Sequence, residues 1–131
     1  MLSKITKSNK NVEIREVNLI CLDQITIDYS LSGPFVIKAD VQGTELDVIE
    51  GSKAILEETE LIILETSLFE FLPNNPQFFD VINYMKNIGF VVYDFIGGAI
   101  RPFDGALGQI DVAFVKENGV LRQSHEYGTS K

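Results

Sequence analysis

The sequence predicts an α/β protein with a largely parallel sheet covered by helices. Three segments, 35–41, 61–66 and 90–96, are apolar and β-branched on both faces, which is typical of strands buried inside a sheet. Segments with the helical spacing of apolar residues separate them. Strand and helix patterns that alternate in this way favour parallel strands joined by crossover helices.

The chain before the first buried strand has weaker patterns. Residues 1–11 are polar and predict a frayed lead. Apolar residues alternate from 12 to 19, which predicts a half-buried strand, and residues 22–25 predict a short helical turn. The single cysteine, Cys21, lies between apolar neighbours and is expected to be a small core residue.

Polar and glycine residues predict where the helices begin and end. Thr44 predicts the N-cap of a first helix, Gly51 its end, and Ser52 the cap of a second short helix. Residues 74–76, Asn-Asn-Pro, predict the start of the next helix, with proline in its first turn. That helix is expected to stop at Gly89.

The C-terminal third predicts one more strand and a tail. The strand that begins at Phe90 is expected to end at the glycines 97–98, and a loop that contains Arg101 leads to a last strand over 109–116. Residues 118–131 are polar and predict a tail. We therefore predict a single domain over residues 12–117.

Composition excludes several classes of function. Nineteen acidic residues against eleven basic ones give a net charge of −8, which disfavours binding to nucleic acid. One cysteine allows no internal disulfide and no cysteine-based zinc site, and it suits a reducing compartment. No apolar run resembles a signal peptide or a membrane span, and no glycine motif cradles a phosphate. We expect a soluble, cytoplasmic protein without a membrane partner.

Two carboxylates lie near the ends of two predicted strands. Asp40 and Glu65 stand at the carboxyl ends of the first two buried strands, where open α/β sheets bind ligands. If the strands are adjacent, side chains at the same level lie within ~5 Å of each other. Such a pair could share a proton, accept one from a hydroxyl group, or hold a divalent ion. Alternatively, each carboxylate caps a neighbouring helix or loop.

Three further titratable residues have positions that bear on a possible site. Glu45 lies in the first turn of a helix, where the helix dipole is a sufficient explanation for an acid. Asp111 joins Asp40 and Glu65 only if the last strand is antiparallel to the others, which periodicity does not decide. His125 lies in the polar tail and is expected to be solvated. Without a known ligand spacing, these acids specify no metal ion.

Residues 38–51, KADVQGTELDVIEG, resemble the K-x-D-V-Q-G-x-E-L-x-V-L-x-G signature of the FkbM-type methyltransferases. Glu65 resembles the acid at the end of that family's next strand. Residues 88–94, IGFVVYD, resemble its step from helix to strand, and residues 109–115, QIDVAFV, resemble its closing strand. The resemblance extends over about residues 12–116.

The resemblance implies the C-terminal half of a Rossmann-like class I methyltransferase fold, with a mainly parallel sheet and an antiparallel last strand beside the strand of Glu65. It implies methylation of a hydroxyl group on a glycan or secondary metabolite with S-adenosylmethionine. On this interpretation the catalytic candidates are Asp40, Glu65, Glu45 and Asp111. The expected cofactor contacts are Asp40, Val41 and Gln42. Arg101 is a weaker candidate for contact with an anionic substrate group.

The printed sequence departs from the family pattern in one respect. The family's first three strands, with the glycine-rich loop that cradles the cofactor, would precede residue 12 and are not found. We therefore expect the acceptor side of a pocket, and an exposed edge on strand 35–41 that favours a homo-oligomer or pairing with a missing N-terminal half. The alternatives are a non-catalytic α/β interaction module or an inactive fragment of a methyltransferase.

Overall fold

A computed structural model describes residues 15–129. Its helices and strands, in chain order, are α1 (Leu22–Asp28), β1 (Phe35–Ala39), α2 (Glu45–Glu50), β2 (Thr59–Ser67), α3 (Phe78–Asn87), β3 (Phe90–Ile100) and β4 (Leu107–Lys116). Two short 3₁₀ turns, Ile55–Glu58 and Val120–Arg122, precede β2 and follow β4. The second turn lies inside the predicted polar tail.

The four strands form a mixed sheet in the order β1-β2-β4-β3. β1 and β2 are parallel, whereas β4 is antiparallel to both of its neighbours, β2 and β3. The α/β class and the antiparallel last strand are therefore confirmed. The expected mainly parallel sheet is not: within residues 15–129, β1–β2 is the only parallel pair, because β4 separates two strands that run in the same direction.

The core is centred on β2 and β4. Ile62, Leu64 and Phe114 are fully buried, and residues 112–115 of β4 are buried in succession. A stretch of strand that is buried at successive positions is covered on both faces of the sheet, which agrees with the central position of β4. The helices complete the cluster, α2 through Ile49 and α3 through Val81 and Met85.

Helix α3 begins two residues later than the Asn-Asn-Pro pattern predicts. Its N-cap is Gln77, whose backbone N–H donates to Asp80 Oδ2 at 2.9 Å in a capping box. Pro76 therefore precedes the helix and does not occupy its first turn. The predicted end is confirmed, since the helix stops at Asn87 and Gly89 has a φ of +87°.

The predicted strand over 12–19 is wrong in its described part. Residues 15–21 have no regular structure, and Val17 and Leu19 are 71% and 76% exposed. No strand within residues 15–129 pairs with this segment, so its alternating apolar residues have no sheet face to cover. For the same reason Cys21 is exposed and is not a core residue. Residues 1–14, which include the predicted lead, lie outside the described residues.

Two further predictions about element ends are wrong. β3 continues through the glycines 97–98 to Ile100, because both glycines stay paired with β4. Ser52 does not cap the next helical turn, since its hydroxyl donates to the carbonyl of Val48 at 2.5 Å. Asp23 of α1 provides that cap, because its carboxylate accepts the backbone N–H groups of Ala54 and Ile55.

Both outer strands have one edge without a partner strand in residues 15–129. Val36 on β1 is 65% exposed, and a groove of about 240 Å³ beside it is lined mostly by apolar residues of α1 and β1, together with Thr26 and Lys38. On β3, Ile100 is 62% exposed. No helix in the described part of the chain is long and apolar enough to cross a membrane.

We expect the chain to self-associate through the outer edge of β1, because unpaired backbone groups beside apolar side chains favour pairing with a second copy. Val36→Lys should lower the mass measured by light scattering toward that of the monomer, since an edge lysine opposes strand pairing. Ile100→Lys, at a similarly exposed position on β3, is the matched control. A monomeric unmodified chain would contradict this prediction.

Candidate active site

A tight turn follows β1 and positions the predicted cofactor-binding residues. Asp40 and Val41 come directly after the strand, and Gln42 and Gly43 have positive φ angles of +57° and +101°. A Cβ atom on Gly43 would lie 2.0 Å from Asn75 Nδ2, so only glycine allows the side chain of Asn75 to pack here. The turn and the loop before α3 are therefore in close contact.

Glu45, the first residue of α2, fixes the shape of this turn. It is only 6% exposed, and its carboxylate accepts the backbone N–H of Val41 at 3.0 Å and the N–H of Gly43 at 3.0 Å. A buried carboxylate needs such donors because it has lost its water. Glu45 thus satisfies backbone groups of the turn.

Glu65 on β2 lies at the centre of the polar groups at this edge of the sheet. Its Oε2 accepts the side-chain amides of Gln109 at 2.8 Å and of Gln42 at 3.4 Å. The same Gln42 nitrogen donates to Asp40 Oδ1 at 3.0 Å. Asp40 and Glu65 are therefore neighbours, as adjacency of their strands predicts, and one amide links them.

Asp111 on β4 lies at the same end of the sheet as Asp40 and Glu65, the end where β1 and β2 finish. It is directly opposite Glu65 in the antiparallel pairing of β2 and β4. Its Oδ2 would lie 3.0 Å from a Cβ on Gly97, so the carboxylate lies against the backbone of β3. The structure thus brings Asp40, Glu65 and Asp111 to one edge, as the resemblance implies.

The surroundings of Glu65 raise its pKa. Partial burial contributes most, and the negative charges of Asp40, Asp111 and Glu45 add to it. Both causes disfavour the charged carboxylate. A carboxylate whose pKa is raised is better suited to accept a proton near neutral pH than an ordinary surface glutamate.

A cavity of about 260 Å³ opens beside Glu65. Among the predicted site residues, Gln42, Glu45 and Glu65 line it, whereas Asp40 and Asp111 lie at the edge of the sheet outside its lining. The remaining walls come from the turn, from β2 and β4, and from the loop before α3 with its first helical turns: Gly43, Ser67, Phe71, Leu72, Asn75, Pro76, Val81 and Gln109.

Arg101 does not present an unpaired charge. Its Nε donates to Asp104 Oδ1 at 2.7 Å and its Nη2 to Asp104 Oδ2 at 2.5 Å. The guanidinium also lies over the ring of Phe69, with 3.7 Å from Cζ to the ring centroid. The pairing lowers the pKa of Asp104 to about 2. This arrangement fixes the loop between β3 and β4.

Gln109 and Asn75 are polar residues of the cavity that the sequence patterns do not assign to the site. Gln109 lies two residues before Asp111, so both point to the same face of β4, and this spacing could have indicated it. The pattern around Asn75 indicates a helix start and does not predict its contact with Gly43. Among residues 15–129, no three acidic, histidine or cysteine side chains are arranged to hold a metal ion. His125 lies exposed in the tail.

Comparison with known proteins gives one match. The model of the methyltransferase FkbM domain matches residues 2–92 of the 131-residue chain. The match includes the turn after β1, Glu65 and α3, whereas β4 follows it. No curated protein sequence and no solved structure matches the chain.

We expect Gly43→Ala to lower the free energy of unfolding by at least about 1–3 kcal/mol, the usual cost of a strained backbone conformation, and more through the clash with Asn75. Gly89→Ala is the matched control, because Gly89 has a similar positive φ and no atom within 4 Å of an added Cβ. Urea unfolding should show the larger loss for Gly43→Ala, and Asn75→Ala in the same chain should restore part of it. Equal losses in both glycine variants would refute a role for the contact.

We expect Glu65→Gln to stabilise the fold at neutral pH. Because the pKa of Glu65 is raised in the folded state, the free energy of unfolding falls as pH rises from the unfolded value toward the folded one. The variant lacks this loss, so its melting temperature should exceed that of the parent at about pH 8, and the difference should shrink below about pH 4. Glu126→Gln, in the exposed tail, is the control. A difference that is the same at both pH values would contradict the prediction.

Proposed function

Because the chain belongs to the family of the methyltransferase FkbM domain, we propose that it transfers the methyl group of S-adenosylmethionine to a hydroxyl group of a glycan or secondary metabolite. We also propose that its sheet is the second half of a Rossmann-like methyltransferase fold. The strand order supports this, since β1, β2 and β3 run in one direction and β4 is inserted in reverse.

One observation carries the proposal. Asp40, Gln42 and Glu65 all lie in the segment that the family model matches, and their side chains meet beside one cavity although they come from different elements. Hydrogen bonds join these three polar residues at the carboxyl end of β1 and β2, where open α/β sheets bind their ligands.

The charge of this edge suits the proposed cofactor. S-adenosylmethionine supplies an electrophilic methyl group on a positively charged sulfonium. Asp40, Val41 and Gln42 would hold it, because they follow β1, and the carboxylates of Asp40 and Glu65 favour a cation nearby. The cavity, at about 260 Å³, is below the range of about 300–1,000 Å³ that is usual for sites of drug-sized ligands, so we assign it to the acceptor.

Glu65 would act as the general base. Its carboxylate lines the cavity. An ionised oxygen of Glu65 could accept the proton of the acceptor hydroxyl as the hydroxyl oxygen bonds to the methyl carbon and S-adenosylhomocysteine leaves with the electrons of the broken carbon–sulfur bond. We propose that the acceptor hydroxyl binds the carboxylate of Glu65 where that carboxylate lines the cavity. The proton then passes from Glu65 to water.

The other predicted catalytic residues would act through Glu65. Asp111 and Asp40 add negative charge that raises the pKa of Glu65 and so its affinity for the proton. Glu45 would be a positioning residue, because its oxygens bind the backbone of the turn that carries Gln42. The neutral amide, hydroxyl and phenyl groups of Gln109, Ser67 and Phe71 suit an uncharged hydroxylated acceptor.

Binding of S-adenosylmethionine to the full chain, measured by calorimetry, is the first test. Turnover would then be followed as formation of S-adenosylhomocysteine with a panel of neutral monosaccharides and aliphatic alcohols. We expect Glu65→Gln to lower kcat/KM by about 10²–10⁴, the usual contribution of a general base, while the chain still binds S-adenosylmethionine. Glu126→Gln, in the exposed tail, should leave kcat/KM unchanged.

Two results would overturn the proposal. Failure to bind S-adenosylmethionine at millimolar concentration would remove catalysis by this chain and favour the non-catalytic interaction module. Full activity of Glu65→Gln would remove the assignment of the base, even if the chain binds the cofactor.

A further inference from the structure

We propose that Gln109 is a positioning residue that holds the carboxylate of Glu65, in its ionised form, toward the cavity. This inference rests on the proposed function, since it concerns the residue we assign as the base. It goes further in assigning a role to a neutral side chain on β4, outside the segment that the family model matches.

The contact between the two side chains is short and directional. Gln109 Nε2 donates a hydrogen bond to Glu65 Oε2 at 2.8 Å. This is the shorter of the two hydrogen bonds that side-chain amides donate to that oxygen. Gln109 is paired with Ser67 in the β2–β4 register, so its side chain comes from a central strand whose backbone is fixed on both sides. A donor on such a strand can fix the orientation of a carboxylate.

The charged groups that face Glu65 give this donor an electrostatic role. Asp40 after β1, Asp111 on β4 and Glu45 on α2 are all acidic, and each opposes ionisation of Glu65. A hydrogen bond donated to a carboxylate favours its charged form. Gln109 therefore counteracts the three acids without adding a charge, and Gln42 supports it from the other side at 3.4 Å.

The alternation of β4 explains why one strand supplies both effects. Gln109 and Asp111 are two residues apart and lie on the same face of the strand. Asp111, opposite Glu65, raises the affinity of that carboxylate for a proton, and Gln109 keeps its oxygen in place. Two residues on one strand therefore act in opposite directions on the protonation of Glu65: Asp111 favours the protonated form and Gln109 favours the ionised form.

The test follows the protonation of Glu65 directly and needs no turnover. In protein labelled with ¹³C at glutamate carboxyl carbons, the resonance of Glu65 is identified by its loss in Glu65→Gln, and its pKa is read from a pH titration. We expect Gln109→Glu to shift the pKa of Glu65 upward, because it adds a like charge at the same position. We expect Gln109→Lys to shift it downward, because it adds a cation.

Gln109→Leu removes the donor and adds no charge. An upward shift in Gln109→Leu together with opposite shifts in the two charged variants would support the proposal. No upward shift in Gln109→Leu would overturn it, because an added charge moves the pKa whether or not Gln109 holds the carboxylate. A general loss of structure cannot produce opposite signs, and Gln109→Leu decides the test if a charged variant does not fold. Ser67→Ala, which alters the same cavity, is the control and should leave the titration unchanged.

The same variants separate this inference from the proposed function. If the chain methylates an acceptor, the acidic limb of its pH profile for kcat/KM should move in the same directions as the titration. If no turnover is found but the titration moves as expected, the proposed reaction fails and the positioning of Glu65 by Gln109 stands.

Discussion

The antiparallel pairing of β2 with β4 is the constraint on which the rest of the structure depends. It places Phe114 and Leu64 in the centre of the core, and it sets Asp111 opposite Glu65 at the edge. It also brings Gln109 within hydrogen-bonding distance of Glu65. Core and site therefore share one register. A slip by a single residue would move each side chain of β4 to the opposite face of the sheet and separate the polar groups around Glu65.

The turn after β1 shows how a short motif combines backbone conformation with chemistry. Gly43 is required by a positive φ and by the close approach of Asn75, and Glu45 is required by the backbone N–H groups that the turn leaves unpaired. With those two residues in place, Gln42 points its amide between Asp40 and Glu65. Residues that could contact a ligand, 40–42, are therefore followed directly by the residues that shape the turn, Gly43 and Glu45.

The sequence predicted most of the sheet and part of the site, for reasons that can be stated physically. Buried strands such as β2 have a local signature, and the ends of adjacent strands place Asp40 and Glu65 together. The position of β4 is a long-range property that periodicity does not contain, so only the resemblance located Asp111. The alternating apolar residues before α1 do not form a strand, because a strand also needs a partner strand to pair with. Cys21, which ends this irregular segment, is exposed.

The strand order also limits the sequence of events in folding. β3 precedes β4 in the chain, yet among residues 15–129 it pairs with the rest of the sheet through β4 alone. During synthesis, β1 and β2 can pair as soon as they emerge, but β3 has no place in the sheet until Lys116 has left the ribosome. The site at Glu65 is therefore incomplete until β4 is in place, because Gln109 and Asp111 both belong to that strand.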